Sequence, residues 1–114
     1  MMPIHDWSQQ ILIFEAQDEP LFTEDMDALH RRIDDGEAEG TDVIVNMKAV
    51  TFLNSSNIAQ LLRLRKKLIS AEQRLRICAV CDQVWSMLLI TGLDKVFDFT
   101  DDVSTSLASL QIER

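Results

Sequence analysis

The chain has 114 residues, with 11 Lys and Arg against 19 Asp and Glu, giving a formal net charge of −8. Its length suits one domain, residues 1–114, and an apolar fraction of 46% excludes a disordered chain. The acidic balance argues against nucleic acid as a partner, because a domain that neutralises phosphates is usually basic.

The longest apolar runs, residues 77–81 and 87–90, fall far short of the roughly 20 residues that span a bilayer, so no membrane insertion is expected. The start of the chain lacks both a basic region and an apolar core, and a cytoplasmic location is the resulting expectation. In that compartment Cys78 and Cys81 are expected to be free thiols.

Residues 11–14 form an apolar run suited to a buried strand, broken by Gln17, Asp18, Glu19 and Pro20. Thr23 is placed to cap a helix whose first turn carries Glu24, Asp25 and Asp27, the sign its dipole prefers. Met26, Leu29 and Ile33 share one face of that helix, and Gly36 is its expected stop. Residues 34–42 read as an acidic surface loop. Residues 43–47, β-branched and mostly apolar, suit a central strand covered on both faces.

A polar corner, Asn54-Ser55-Ser56-Asn57, precedes a helical pattern that runs to Ser70. At 100° per residue, Ile58, Leu61, Leu62, Leu64, Leu68 and Ile69 form one broad apolar side, with Arg65 inside it. Ser56, Gln60, Arg63 and Lys67 lie opposite, on the expected solvent face. Residues 75–80 form another strand. Asp82 is placed to cap a helix over residues 83–91, ended by Gly92. Residues 96–99 read as an edge strand, and Asp101 or Asp102 opens a last helix with Val103, Leu107 and Leu110 on one face. Strands alternating with helices predict an α/β fold, a mainly parallel sheet with helices packed on it.

Two segments resemble the STAS domain, the fold of bacterial anti-sigma factor antagonists and of the cytoplasmic tails of sulfate transporters. The first is the strand at residues 43–47 followed by Val50, Thr51, Phe52, Leu53 and the corner Asn54-Ser55-Ser56-Asn57, where the family has Asp-Ser-Ser/Thr-Gly before a leucine-rich helix. The second, Thr91-Gly92-Leu93-Asp94-Lys95-Val96-Phe97, is similar to the family's Thr-Gly-Leu-Asp-Lys-Leu-Phe segment. The resemblance implies a STAS-type mixed, mainly parallel sheet. It also implies a regulatory role: an anti-sigma factor, itself a serine kinase of the histidine-kinase-like ATPase type, binds the domain and releases it once a serine is phosphorylated. That serine corresponds to Ser55, with Ser56 beside it. Asn54, Asn57, Gln60 and Arg63 are then the partner-binding residues. The family often carries Asp at the positions of Asn46 and Asn54 and Gly at that of Asn57, and these departures keep a second reading open: a non-phosphorylated STAS adaptor docking on an ATPase or sensor kinase.

The corner also has a plain structural reading, because Asn and Ser are common helix caps. A hydroxyl there lies near helix N–H groups that favour negative charge, which suits a phosphate. The sequence has no glycine-rich loop or Walker pattern, so no cofactor is expected on this chain, and ATP and Mg²⁺ belong with the partner; the chain is not expected to be an enzyme. His5 and His30 show no metal-ligand spacing, and no metal is expected. Cys78 and Cys81 form a lone C-x-x-C at a strand end, which leaves a dithiol redox protein as a third reading. The basic cluster Arg63, Arg65, Lys66 and Lys67 reads either as a solvated helix face or as a surface for an acidic partner.

Overall fold

Apolar residues alternate along the strands, and each parity goes to a different face of one sheet. The computed structural model describes residues 2–112. In chain order the elements are β1 (Ile4–Asp6), β2 (Ile11–Gln17), α1 (Leu21–Asp34), β3 (Asp42–Ala49), α2 (Ser55–Ser70), β4 (Leu75–Cys78), α3 (Asp82–Thr91), a 3-10 turn (Leu93–Lys95), β5 (Phe99–Thr100) and α4 (Val103–Ile112). The strands lie side by side in the order β1-β2-β3-β4-β5. The β1–β2 pair is antiparallel and the other three pairs are parallel. The fold is therefore mixed α/β with a mainly parallel sheet, as the alternation of strands and helices predicts.

On one face, Leu12, Phe14 and Ala16 of β2, Val43, Val45 and Met47 of β3, and Leu75 and Ile77 of β4 meet three helices. These contribute Phe22, Met26 and Leu29 from α1, Leu61, Leu64 and Leu68 from α2, and Val84 and Leu88 from α3. On the other face, Ile11, Ile13, Ile44 and Cys78 pack under Leu110, with Val103 and Leu107 alongside, so α4 alone covers them. Each large side chain fully buried this way stabilises the fold by about 1.5–3 kcal/mol, which makes the three-helix face the main source of stability. The second face is pinned by polar contacts as well. Asp42, nearly buried at the start of β3, accepts from Arg74 Nη2 at 3.0 Å and from the Arg74 backbone N–H at 2.8 Å. The same guanidinium donates to the carbonyl of Leu110 at 2.8 Å, tying the end of α4 to the sheet.

Several local expectations are corrected. β1 is an additional strand that the sequence pattern did not reveal, since three residues with one apolar side chain carry almost no periodicity. α1 starts at Leu21 rather than after Thr23, and the residue at its N-cap is Pro20, which already has helical φ and ψ. It does stop where expected: Asp35 is the C-cap, and Gly36 follows it at φ 81°, with the N–H groups of Gly36 and Glu37 closing the helix on the carbonyls of Ile33 and Arg32. Asp82 is the first residue of α3, with Cys81 at the cap. Residues 96–99 do not form a strand: the chain makes the 3-10 turn first and pairs with β4 only at Phe99 and Thr100. Gly92 does end α3 as expected, at φ 76°, a left-handed conformation that favours glycine.

Candidate functional site

In a parallel sheet the loops that follow the strands gather at one end, and ligands and partners of α/β folds commonly meet the molecule there. Here the loop after β3 carries the Asn54-Ser55-Ser56-Asn57 corner, and the loop after β2 carries Asp18, Glu19 and Pro20 beside it. Asp18 joins the two loops. Its carboxylate accepts from the Thr51 hydroxyl at 2.6 Å and from the backbone N–H groups of Thr51 and Phe52 at 2.9 and 3.3 Å. The Thr51 hydroxyl, helped by the Thr51 and Phe52 N–H groups, holds the Asp18 carboxyl below its ordinary pKa against the opposing effect of burial.

The corner is a reciprocal capping box. Asn54 is extended, at φ −91° and ψ 175°, and its Oδ1 accepts from the Asn57 N–H at 2.8 Å. Asn57 Oδ1 accepts in turn from the Asn54 N–H at 3.1 Å. The remaining polar atom of Asn57 is also used: Nδ2 donates to Glu19 Oε2 at 3.0 Å and to Gln60 Oε1 at 3.4 Å. Gln60 Nε2 donates to Thr23 Oγ1 at 3.2 Å, and that hydroxyl donates to Glu19 Oε2 at 2.6 Å. Glu19, Thr23, Asn57 and Gln60 thus form a closed polar ring between α1 and α2. The Thr23 hydroxyl and N–H keep the Glu19 carboxyl below its ordinary pKa. Thr23 does not cap α1 as expected, because its hydroxyl is committed to this ring.

Ser55 and Ser56 are the first two residues of α2, and both are exposed. Their N–H groups lie in the first turn, where an α-helix lacks internal acceptors and carries positive potential. Arg63 is exposed on the same helix and Asn54 is half-buried. Asn57 and Gln60 lie elsewhere: they are 1% and 5% exposed. The expectation that Gln60 lines the solvent face is therefore corrected. The buried stripe of α2 runs through Asn57, Gln60, Leu61, Leu64 and Leu68, while Leu62 and Ile69 are exposed. The helix is rotated toward Gln60 because α1 packs on that side and offers polar partners. Lys67, also assigned to the solvent face, turns back to α1 and pairs with Asp34 at 3.0 Å.

Three residues of the site, Glu19, Thr23 and Phe52, are not placed there by the sequence pattern. Glu19 and Thr23 meet Asn57 and Gln60 of α2 across 38 and 37 positions of chain separation, where local spacing says nothing. Phe52 is 60% exposed although it lies in an apolar run, and it adds an unburied aromatic ring next to the serines. Asn46 belongs to a different place: its Nδ2 donates to Glu15 Oε2 at 2.8 Å.

The cysteines are unlike one another. Cys78 is fully buried under α4, and burial pushes its thiol above the ordinary value. Cys81 is half-buried, with Sγ 3.5 Å from the Val50 carbonyl. A thiol reagent is expected to modify Cys81 slowly in the native protein and Cys78 only after denaturation, counted by mass. Equal, rapid reaction of both would restore the dithiol reading. Among the described residues no group of three or more His, Cys, Asp and Glu side chains is placed to hold a metal ion, and no helix is long and apolar enough to cross a membrane.

The family model of the STAS domain matches residues 6–107. Solved structures share the fold. A candidate anti-sigma factor antagonist from Thermotoga maritima superposes with TM-score 0.77 at 14% identity, over 97% of this chain and 95% of that one. An anti-sigma-factor antagonist (STAS) domain protein from Planctomyces limnophilus gives 0.80 at 16% identity, over 95% and 96%. A serine-to-glutamate variant of RsbS from Moorella thermoacetica gives 0.75 at 14% identity, over 98% and 99%. No curated protein matches the sequence.

Proposed function

This chain belongs to the STAS domain family, and from that membership and the geometry of the corner we propose that it is an anti-sigma factor antagonist whose binding is switched by phosphorylation of Ser55. The observation that carries this reading is the exposure of Ser55 and Ser56 at the start of α2, beside a turn that Asn54 and Asn57 already hold closed. The serines are not needed for the cap, so they are available to a partner. Asn57 and Gln60 support the turn from beneath. The docking surface itself is formed by Phe52, Ser55, Ser56, Leu62 and Arg63, an apolar and basic patch on an acidic protein.

Phosphate adds about −1.5 to −2 charges. On Ser55 it reverses the sign of this patch next to the carboxylates of Asp18 and Glu19, while the first-turn N–H groups of α2 stabilise it locally. The fold stays and the partner leaves. Phosphoryl transfer belongs to that partner, a serine kinase of the histidine-kinase-like ATPase type, which brings ATP and Mg²⁺. Such a role places the protein in the cytoplasm.

The test is affinity capture from the source organism with wild type, Ser55→Ala and Ser55→Asp, with intact-mass analysis of the native protein. A histidine-kinase-like ATPase is expected on wild type and Ser55→Ala, with binding to Ser55→Asp weakened about 100-fold. Equal capture by all three sinks the switch. The neutral side chain at Asn54 favours one other reading, a STAS adaptor that docks on an ATPase or sensor kinase without being phosphorylated; native protein free of phosphate under every growth condition supports it.

A further inference from the structure

Behind the polar ring, α1 and α2 share a second contact that involves a histidine. His30 of α1 is only 8% exposed. Its Nε2 lies 3.3 Å from the Gln60 carbonyl, and its Nδ1 lies 2.9 Å from Lys67 Nζ. A carbonyl only accepts and an ammonium only donates. The two partners together therefore require a neutral ring with its proton on Nε2. Adding a proton at Nδ1 turns an acceptor into a donor that faces a cation, and no rotation of the ring satisfies both partners. Lys67 is itself held at Asp34, 3.0 Å away, so it is anchored against the ring.

We propose that His30 is a pH-sensitive latch between α1 and α2, closed only while its ring is neutral, whose opening loosens the turn that carries Ser55. The path is short and continuous: His30 donates to the backbone of Gln60, and the Gln60 side chain joins Asn57, which completes the capping box with Asn54. The charged groups acting on the ring are Lys67 and Arg63 from α2 and Asp34 from α1. Burial, followed by the Lys67 charge, lowers the His30 pKa from its ordinary 6.5, and the opposing effects of the Gln60 carbonyl and Asp34 are smaller. The unfolded chain thus binds a proton before the folded one does. Stability held above pH about 6.5 is lost as the pH falls toward the depressed value.

This inference needs no partner, so its failure is separate from failure of the switch at Ser55. Ring ¹⁵N spectra are expected to show an unprotonated Nδ1 at neutral pH and a midpoint below 6.5. Amide protection factors at Asn57 and Ile58 are expected to fall as the ring protonates, by up to about tenfold per pH unit. In His30→Gln they are expected to stay flat. Lys67→Met, which removes a half-exposed charge and leaves the core alone, is expected to move the His30 midpoint up toward 6.5. A ring protonated on Nδ1 at neutral pH, a midpoint at or above 6.5 in wild type, or protection factors that follow pH identically in wild type and His30→Gln would overturn the latch. If His30→Gln does not fold, the wild-type ring spectra and Lys67→Met decide alone.

Discussion

Replacing Asn57 with alanine is expected to lower the stability of the domain by about 3 kcal/mol, measured by denaturant unfolding. A helix cap is typically worth about 1 kcal/mol, but Asn57 does more than cap. Its removal leaves the Asn54 N–H, Glu19 Oε2 and Gln60 Oε1 each without one hydrogen bond; Glu19 is exposed and can turn to water, but Gln60 is buried and cannot. Asn57→Asp separates the two contributions. An aspartate keeps the acceptor for Asn54 and adds a charge that suits the first turn of a helix. It cannot donate, however, so a carboxylate faces the oxygens of Glu19 and Gln60. Asn57→Asp is therefore expected to be at least as damaging as Asn57→Ala at neutral pH, and to recover as acid protonates the pair. A neutral or stabilising Asn57→Asp at pH about 7 would show that the cap, rather than the ring, is the important contact.

Leu110→Asp is expected to cost about 4 kcal/mol and to convert Cys78 into a reactive thiol. Leu110 is fully buried against Ile11, Ile13, Ile44 and Cys78, and α4 is the helix that covers them. A charge at this position cannot stay buried without a partner, so α4 must lift. The sheet face left open is strongly apolar, which predicts soluble association of the variant as well as faster alkylation of Cys78. The three-helix face does not depend on α4, and far-UV dichroism is expected to show loss of one helix rather than global unfolding. Unchanged protection of Cys78 in Leu110→Asp would mean that something other than α4 shields it.

Much of the fold was legible because its signals are local. β3 reads as a central strand from residues 43–47, and its side chains are buried on both faces of the sheet. Gly92 stops α3 where a left-handed residue is needed. The corner at residues 54–57 was recognisable as the start of a helix because Asn and Ser are common caps, while the reciprocal Asn54–Asn57 pairing appears only in the structure. Its exposed hydroxyls, Ser55 and Ser56, follow from the same local geometry. The burial of Asn57 and Gln60 was not legible. On α2, helical spacing alone made Gln60 a solvent-facing residue, because an amide counts as polar wherever it sits.

What the amino-acid sequence determined by itself was the order and type of the main elements, the family likeness, and the cap that begins α2, since each rests on contacts a few residues apart. What only the tertiary structure decided was the rotation of α2, the ring of Glu19, Thr23, Asn57 and Gln60, and the neutral His30 behind it. A buried polar side chain is stable only when its partners are supplied, and here those partners lie 30 or more positions away along the chain. Packing of α1 against α2 creates that burial and satisfies it at once, so neither helix announces it alone.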